Sequence, residues 1–252
     1  IDDIYGWDFV NNNNLTRDTY GHGTHVAGIA SAETNNAVGV SGVAGGWGSS
    51  EKGCKIMPVK VLDPFGTSAS VASGIIYATD NIKSTTGARG VINMSLGSSS
   101  ASITLEAAMK YAFNNNIVVV SAAGNDGGEV LYPAAYDDYG MGVAATDRKD
   151  NRATFSNNGK AVDCAAPGVD IYSTLPTYDT TLSLFGYSKN YDSLTGTSMA
   201  TPHVAGLAGL ILAKNSSNFA MTNGEVMGQV RFTAEDINSS TYSGDDDFIG
   251  DG

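Results

Sequence analysis

Cysteine is scarce in this chain of 252 residues: Cys54 and Cys164 are the only two, far apart and in no C-x-x-C pair. They read as two small buried apolar residues, ahead of a zinc site or a disulfide framework. Basic residues are also few. Fourteen Lys and Arg stand against 26 Asp and Glu, a formal net charge of −12. That balance argues against a nucleic-acid partner, because phosphate binding needs clustered cations. The acidity reads as a solvated surface that also suits cations. No apolar run reaches the roughly 18 residues of a membrane span, and no basic-then-apolar leader opens the chain. Internal repeats and low-complexity tracts are missing too. What remains, 42% hydrophobic and 16% charged, suits one globular domain over residues 1–252.

Hydrophobic periodicity gives the fold class. "CKIMPVKVL" reads as a buried strand, and "SASVASGIIYATDNIKS" places Val71, Ile75, Ala78 and Ile82 on one helix face. "GVINMSLG" is a second strand. "ITLEAAMKYAFNNN" is a helix with Leu105, Ala108 and Ala112 on one side and an Asn cluster as its stop, and "IVVVSAAGN" is a strand buried on both faces. The order βαβαβ predicts an α/β fold of three layers, a mainly parallel sheet flanked by helices. Ligands in such sheets gather beyond the carboxyl ends of the strands, here "SLGSSS" and "AAGNDGG". Residues 125–195 read as loops with short strands such as "GMGVAAT" and "AVDCAAPG". "GTSMATPHVAGLAGLILAK" reads as a central buried helix. Pro202 is expected in its first turn, so the helix should begin near Ser198. "NGEVMGQVRFTAEDI" reads as a surface helix.

Three polar residues stand where chemistry is feasible. Ser198 opens a buried helix, where unpaired N–H groups and the dipole favour negative charge, although Ser is also a common N-cap. Asn125 leaves the end of a central strand, as a turn residue or as an amide aimed at an oxyanion. "DTYGHGTHVAG" sets His22 and His25 three residues apart. Zinc binding would need a third ligand and a Glu beside the first His, which this string lacks. His203, the only other histidine, lies one turn past Ser198.

The strings "GHGTHVAG", "AAGN" and "GTSMATPHVAG", in this order, resemble the subtilisin-like serine proteases, the subtilases. "KIMPVKVLD", "NMSLG", "YPAAY", "ATFSNNG" and "APGVDIYST" extend the resemblance over nearly the whole chain. It implies a secreted, monomeric serine endopeptidase acting on protein or peptide substrates. Catalysis would need no cofactor. His22 would be the general base, Ser198 the nucleophile, and Asn125 with the Ser198 N–H the oxyanion hole; His25 and His203 would be structural. Substrate would add as a strand beside Ser95, Leu96 and Gly97, with one side chain entering a pocket between that segment and Ala123–Gly124. Leu131 would either lie near the base of that pocket, where it would favour apolar groups, or serve as ordinary packing. "ETNNAVGVSG" resembles the family's calcium loop, with the Asn36 side chain and the carbonyls of Thr34, Val38 and Val40 as ligands.

The family's D-[ST]-G turn, which carries the carboxylate that orients the histidine, has no counterpart here. The resemblance therefore implies an internal fragment truncated at both ends, with that Asp upstream of residue 1 and little activity by itself. Substitution by Asp2, Asp3, Asp8 or Asp18 is the competing expectation. The acidic "GDDDFIGDG" reads as a solvated tail, because Ile249 falls where an EF-hand needs oxygen. The rival from another class is a pseudoprotease or extracellular binding domain on the same scaffold. Intact His22, Asn125 and Ser198 argue against it, since binding alone needs none of the three.

Overall fold

The computed structural model describes residues 6–47, 53–87, 89–214 and 221–237. In chain order the elements are β1 (Trp7–Asp8), α1 (His22–Ser31), β2 (Val59–Lys60), α2 (Ser68–Thr86), β3 (Val91–Met94), α3 (Ile103–Asn114), β4 (Val118–Ala122), β5 (Met141–Thr146), β6 (Cys164–Pro167), β7 (Ile171–Thr174), α4 (Thr181–Leu184), β8 (Tyr191–Leu194), α5 (Thr197–Lys214) and α6 (Asn223–Thr233). Strands β3-β4-β5-β6 form a parallel sheet in that order, β1 and β2 form a separate parallel pair, and β7 and β8 form an antiparallel hairpin. The alternation of β4 explains the layers. Val118 and Val120 face a core shared with α5 and α6, whereas Val119 faces one shared with α2 and α3. All three are fully buried, and each such burial contributes about 1.5–3 kcal/mol.

Local sequence fixes most helix ends. Thr67 and Ser70 form a capping box at the start of α2, and Gly87, at φ 66°, stops it. Ser102 caps α3, and the Asn cluster ends it with Asn116 at φ 62°. Helix α6 buries Val226, Met227 and Val230, and its Arg231 pairs with the buried Asp163 on the segment entering β6.

Two expectations change. The long strand predicted in "CKIMPVKVL" pairs only at Val59–Lys60. Helix α5 begins at Thr197 and Pro202 is its sixth residue, beyond the first turn. A proline there leaves the carbonyl four residues back, that of Ser198, without its helical donor. Ser95 Oγ supplies the substitute, donating to Ser198 O at 2.8 Å. Nor is α5 enclosed on every side, since Leu207 and Leu210 stay 41% and 43% exposed. The sheet, α1 and α6 cover its other faces.

Candidate active site

His22 is the first residue of α1, and the loop before it is tied to Asp18. The Asp18 carboxylate accepts from the N–H groups of Tyr20 (3.0 Å), Gly21 (2.7 Å) and Thr24 (2.8 Å) and from Thr24 Oγ1 (2.6 Å). Asp18 thus anchors the start of the helix, satisfying donors that have no helical partner. Burial lowers the His22 pKa, and the nearby Asp18 charge partly opposes that shift. The imidazole is therefore neutral near pH 7, the form a base needs. Asp8 is spent on Val10 and Asn11, so neither aspartate is bonded to the His22 ring. Asp2 and Asp3 lie outside the described residues.

Ser198 lies in the first turn of α5. Thr197 N–H donates to Asn125 Oδ1 (2.8 Å) and Met199 N–H to Gly196 O (3.0 Å). Between them the Ser198 N–H has no acceptor among the described residues. Thr197 Oγ1 also donates to Asn125 Oδ1, at 3.1 Å, and accepts from Gly124 N–H at 3.2 Å. With its oxygen held twice, Asn125 keeps its NH₂ group for an incoming acceptor. Asn125 and Ser198 line one cavity of about 230 Å³ together with Leu96, Gly97, Ala122, Gly124, Asp126, Leu131 and Thr197. A larger hollow of about 620 Å³ runs along the outer side of α6, where Glu225 is the sole titratable residue in its lining. Its hydroxyl–carboxylate contact, Thr222 Oγ1 to Glu225 Oε2 at 2.9 Å, is the capping box that starts α6.

Helices α1 and α5 share a core. Val26, one turn past His22, clusters with Met199, next to Ser198, and with Leu182 and Leu194. The Ser198 hydroxyl makes only a long contact to Ser95 O, 3.5 Å, and no hydrogen bond to the His22 ring. Catalytic hydrogen bonds often tighten only when substrate binds. His25 is fully buried, with Nε2 3.1 Å from Asp192 O, and His203 Nδ1 lies 2.9 Å from Met199 O.

Of the predicted substrate residues, Leu96, Gly97 and Gly124 line the cavity. Ser95 is outside that lining, with its side chain supporting the Ser198 carbonyl and its backbone still open to a substrate strand, and Ala123 is fully buried behind its neighbour Ala122. The reason is strand alternation, which turns Ala122 and Ala123 to opposite faces. Leu131 does lie in the lining, against Gly97 and Gly124. The sequence reading missed Thr197, although it stands inside the quoted "GTSMATP", because its grip on Asn125 is made across the fold.

In the loop Thr34–Val40, Asn35, Ala37 and Gly39 all have positive φ (56°, 58°, 62°), alternating with Thr34, Asn36, Val38 and Val40. Asn36 Oδ1 already accepts from Val38 N–H at 3.0 Å, and Thr34 Oγ1 is buried without a partner. Among the described residues no three His, Cys, Asp or Glu converge as metal ligands. The loop's donors are neutral oxygens, which suit a hard cation and no transition metal. Cys54 is half-buried and Cys164 buried, and the two form no disulfide with each other. Among the described residues, no helix is long and apolar enough to cross a membrane.

The subtilase family profile (peptidase S8) matches residues 1–252. Thermitase of Thermoactinomyces vulgaris is 46% identical over 217 residues, 85% of this chain and 69% of thermitase. The thermophilic serine proteinase of Bacillus sp. (strain AK1) is 42% identical over 95% of this chain, which spans 53% of that relative. Among solved structures, Sphericase superposes with a TM-score of 0.78 at 31% identity, covering 96% of this chain and 79% of its own. The chain belongs to the subtilase family of serine proteases.

Proposed function

We propose that the chain is the catalytic part of a serine endopeptidase working through an acyl-enzyme, with Ser198 as nucleophile, His22 as general base and Asn125 as oxyanion donor. The observation that carries the reading is the shared cavity, where a helix-start serine meets an amide whose oxygen is already held by Thr197. His22 takes the proton as Ser198 Oγ attacks the substrate carbonyl. The tetrahedral oxyanion is met by Asn125 Nδ2 and the Ser198 N–H, and collapse transfers the proton from His22 to the leaving amine. Water then repeats the cycle on the ester.

The carboxylate that orients His22 belongs, in this reading, upstream of residue 1, since Asp8 and Asp18 are engaged elsewhere. Among the described residues, Asn93 Oδ1 on β3 is buried without a partner, and β2 and β3 each have one edge unpaired. Both features suit a further strand. Substrate lies along Ser95–Gly97 with its preceding side chain in the cavity, where Leu96 and Leu131 favour apolar groups. A peptide panel varying only that residue checks this, and a preference for Lys or Arg would refute it. The loop Thr34–Val40 holds calcium in the intact enzyme through Asn36 Oδ1 and the carbonyls of Thr34, Val38 and Val40, a role that is structural only. Chelator should then lower the thermal midpoint of the intact enzyme. Secretion and action as a monomer belong to the same reading.

A fluorophosphonate probe provides the main test, because it labels only an activated serine. The chain extended by its upstream coding segment should label at Ser198, the S198A variant should not, and the 252-residue chain alone should label far more slowly. Absence of labelling in the extended chain would favour the non-catalytic scaffold.

A further inference from the structure

Behind the cavity wall, Asn157 is 1% exposed and bonded at both ends of its side chain. Oδ1 accepts from the N–H groups of Asp126 (2.8 Å) and Gly128 (3.1 Å), while Nδ2 donates to Glu129 O (2.7 Å). The main chain around it continues the pattern. Asn157 N–H donates to Gly124 O (3.0 Å), Asn158 N–H to Gly128 O (3.0 Å), and Gly127 N–H to Phe155 O (2.8 Å). A β-carbon on Gly124, which has φ 117°, would lie 2.3 Å from Asn157 Nδ2 and 2.8 Å from Leu131 Cγ. Asn157 therefore packs directly behind a residue of the cavity lining.

The loop it holds, Asp126-Gly127-Gly128-Glu129, is exposed and contains no apolar side chain to bury. Two glycines give it high backbone entropy, so hydrogen bonds must fix its place. Asp126 and Gly124 both line the cavity. Any shift of the loop would therefore change the cavity's width.

Building on the endopeptidase reading, we infer that Asn157 is a positioning residue for specificity: it fixes the Asp126–Glu129 wall and so sets which substrate side chain the cavity admits. Loss of its three bonds frees the loop, widens the cavity and weakens discrimination by size. Unlike Ser198 or His22, it takes no part in the bond-breaking steps.

Amide hydrogen exchange on the chain with Asn157→Ala tests the strut without requiring turnover. Peptides covering residues 124–130 should exchange about tenfold faster or more, the worth of one or two lost hydrogen bonds, while β4 and β5 stay protected. Asn157→Asp keeps the two acceptor bonds and should retain most protection at Asp126 and Gly128; it also carries the test if the alanine variant does not fold. In the second arm, the ratio of kcat/KM between peptides differing only in the size of the residue before the cut should fall about tenfold in Asn157→Ala, chiefly through KM. Unchanged exchange at 124–130, or an unchanged ratio, overturns the proposal. If the upstream-extended wild-type protein neither labels nor cleaves, the endopeptidase reading fails and the specificity role falls with it. The exchange arm still reports separately on the strut.

Discussion

Ser95 shows how one residue's role depends on a neighbour distant in sequence. Pro202 cannot donate to the Ser198 carbonyl, and the Ser95 hydroxyl replaces that donor at 2.8 Å while accepting from Asn93 Nδ2 at 3.1 Å. Ser95→Ala should therefore cost about 1–3 kcal/mol of stability, the penalty of a buried carbonyl left unpaired, and should slow labelling of Ser198; urea unfolding and probe kinetics check both. Asn125→Ala should lower kcat by about 10²–10³ with little change in KM, the loss known for the corresponding donor of subtilisin, a relative in the same family. Steady-state kinetics on the upstream-extended protein decides it. His22, Asn125 and Ser198 were legible in the sequence because each sits in a string with a distinctive neighbourhood. The supporting roles of Ser95 and Asn157 were not, because their bonds cross the fold and depend on no local pattern.

Among the elements, α1 is seated closely on the β7–β8 hairpin. Ser173 Oγ and Thr174 Oγ1, on β7, donate to the carbonyls of His25 (2.8 Å) and Thr24 (2.9 Å), and Gly28 lets the helix approach. A β-carbon on Gly28 would fall 2.2 Å from Thr174 Oγ1 and 2.5 Å from Ser173 Oγ, and both oxygens are already committed to the helix. Gly28→Ala should push α1 off the hairpin, destabilise by roughly 1–3 kcal/mol, and impair labelling because His22 moves with the helix. Thermal melts with probe kinetics would show both losses together, whereas loss of stability alone would mean that α1 tolerates the shift. Helices α2, α3, α5 and α6 were readable from their apolar patterns, whereas the four-residue α4 was not. The β7–β8 hairpin was not foreseen, because "IYST" and "YDSL" are short and a long loop containing α4 separates them.

For the molecule as a whole, buried titratable groups pull stability in opposite directions with pH. Burial lowers the His25 pKa from 6.5 to about 4, so the unfolded chain binds the proton more readily and stability is lost as pH falls through that window. Burial raises the Asp163 pKa from 3.8 to about 6, although Arg231 and the Gly142 N–H oppose it. Here the unfolded chain ionises first, so stability is lost as pH rises from about 4 to 6. Removing the partner cation should sharpen this. Arg231→Met should cost about 3 kcal/mol at pH 8, where Asp163 would be a buried unpaired charge, and clearly less near pH 4.5, where the carboxyl is protonated. Chemical unfolding at the two pH values measures the difference; equal losses would show that the pair contributes nothing electrostatic.

By itself the sequence determined the layered α/β architecture and the family, and it proposed three site residues, of which Asn125 and Ser198 line one cavity. Periodicity, caps and short strings are local properties that survive without coordinates. Only the tertiary structure decided that Pro202 lies beyond the first turn of its helix, that Ser95 takes over the donor it removes, that Thr197 orients Asn125, and that Asn157 backs the cavity wall. The last three are hydrogen bonds between segments distant in the chain, and their partners are chosen by how the sheet stacks on its helices.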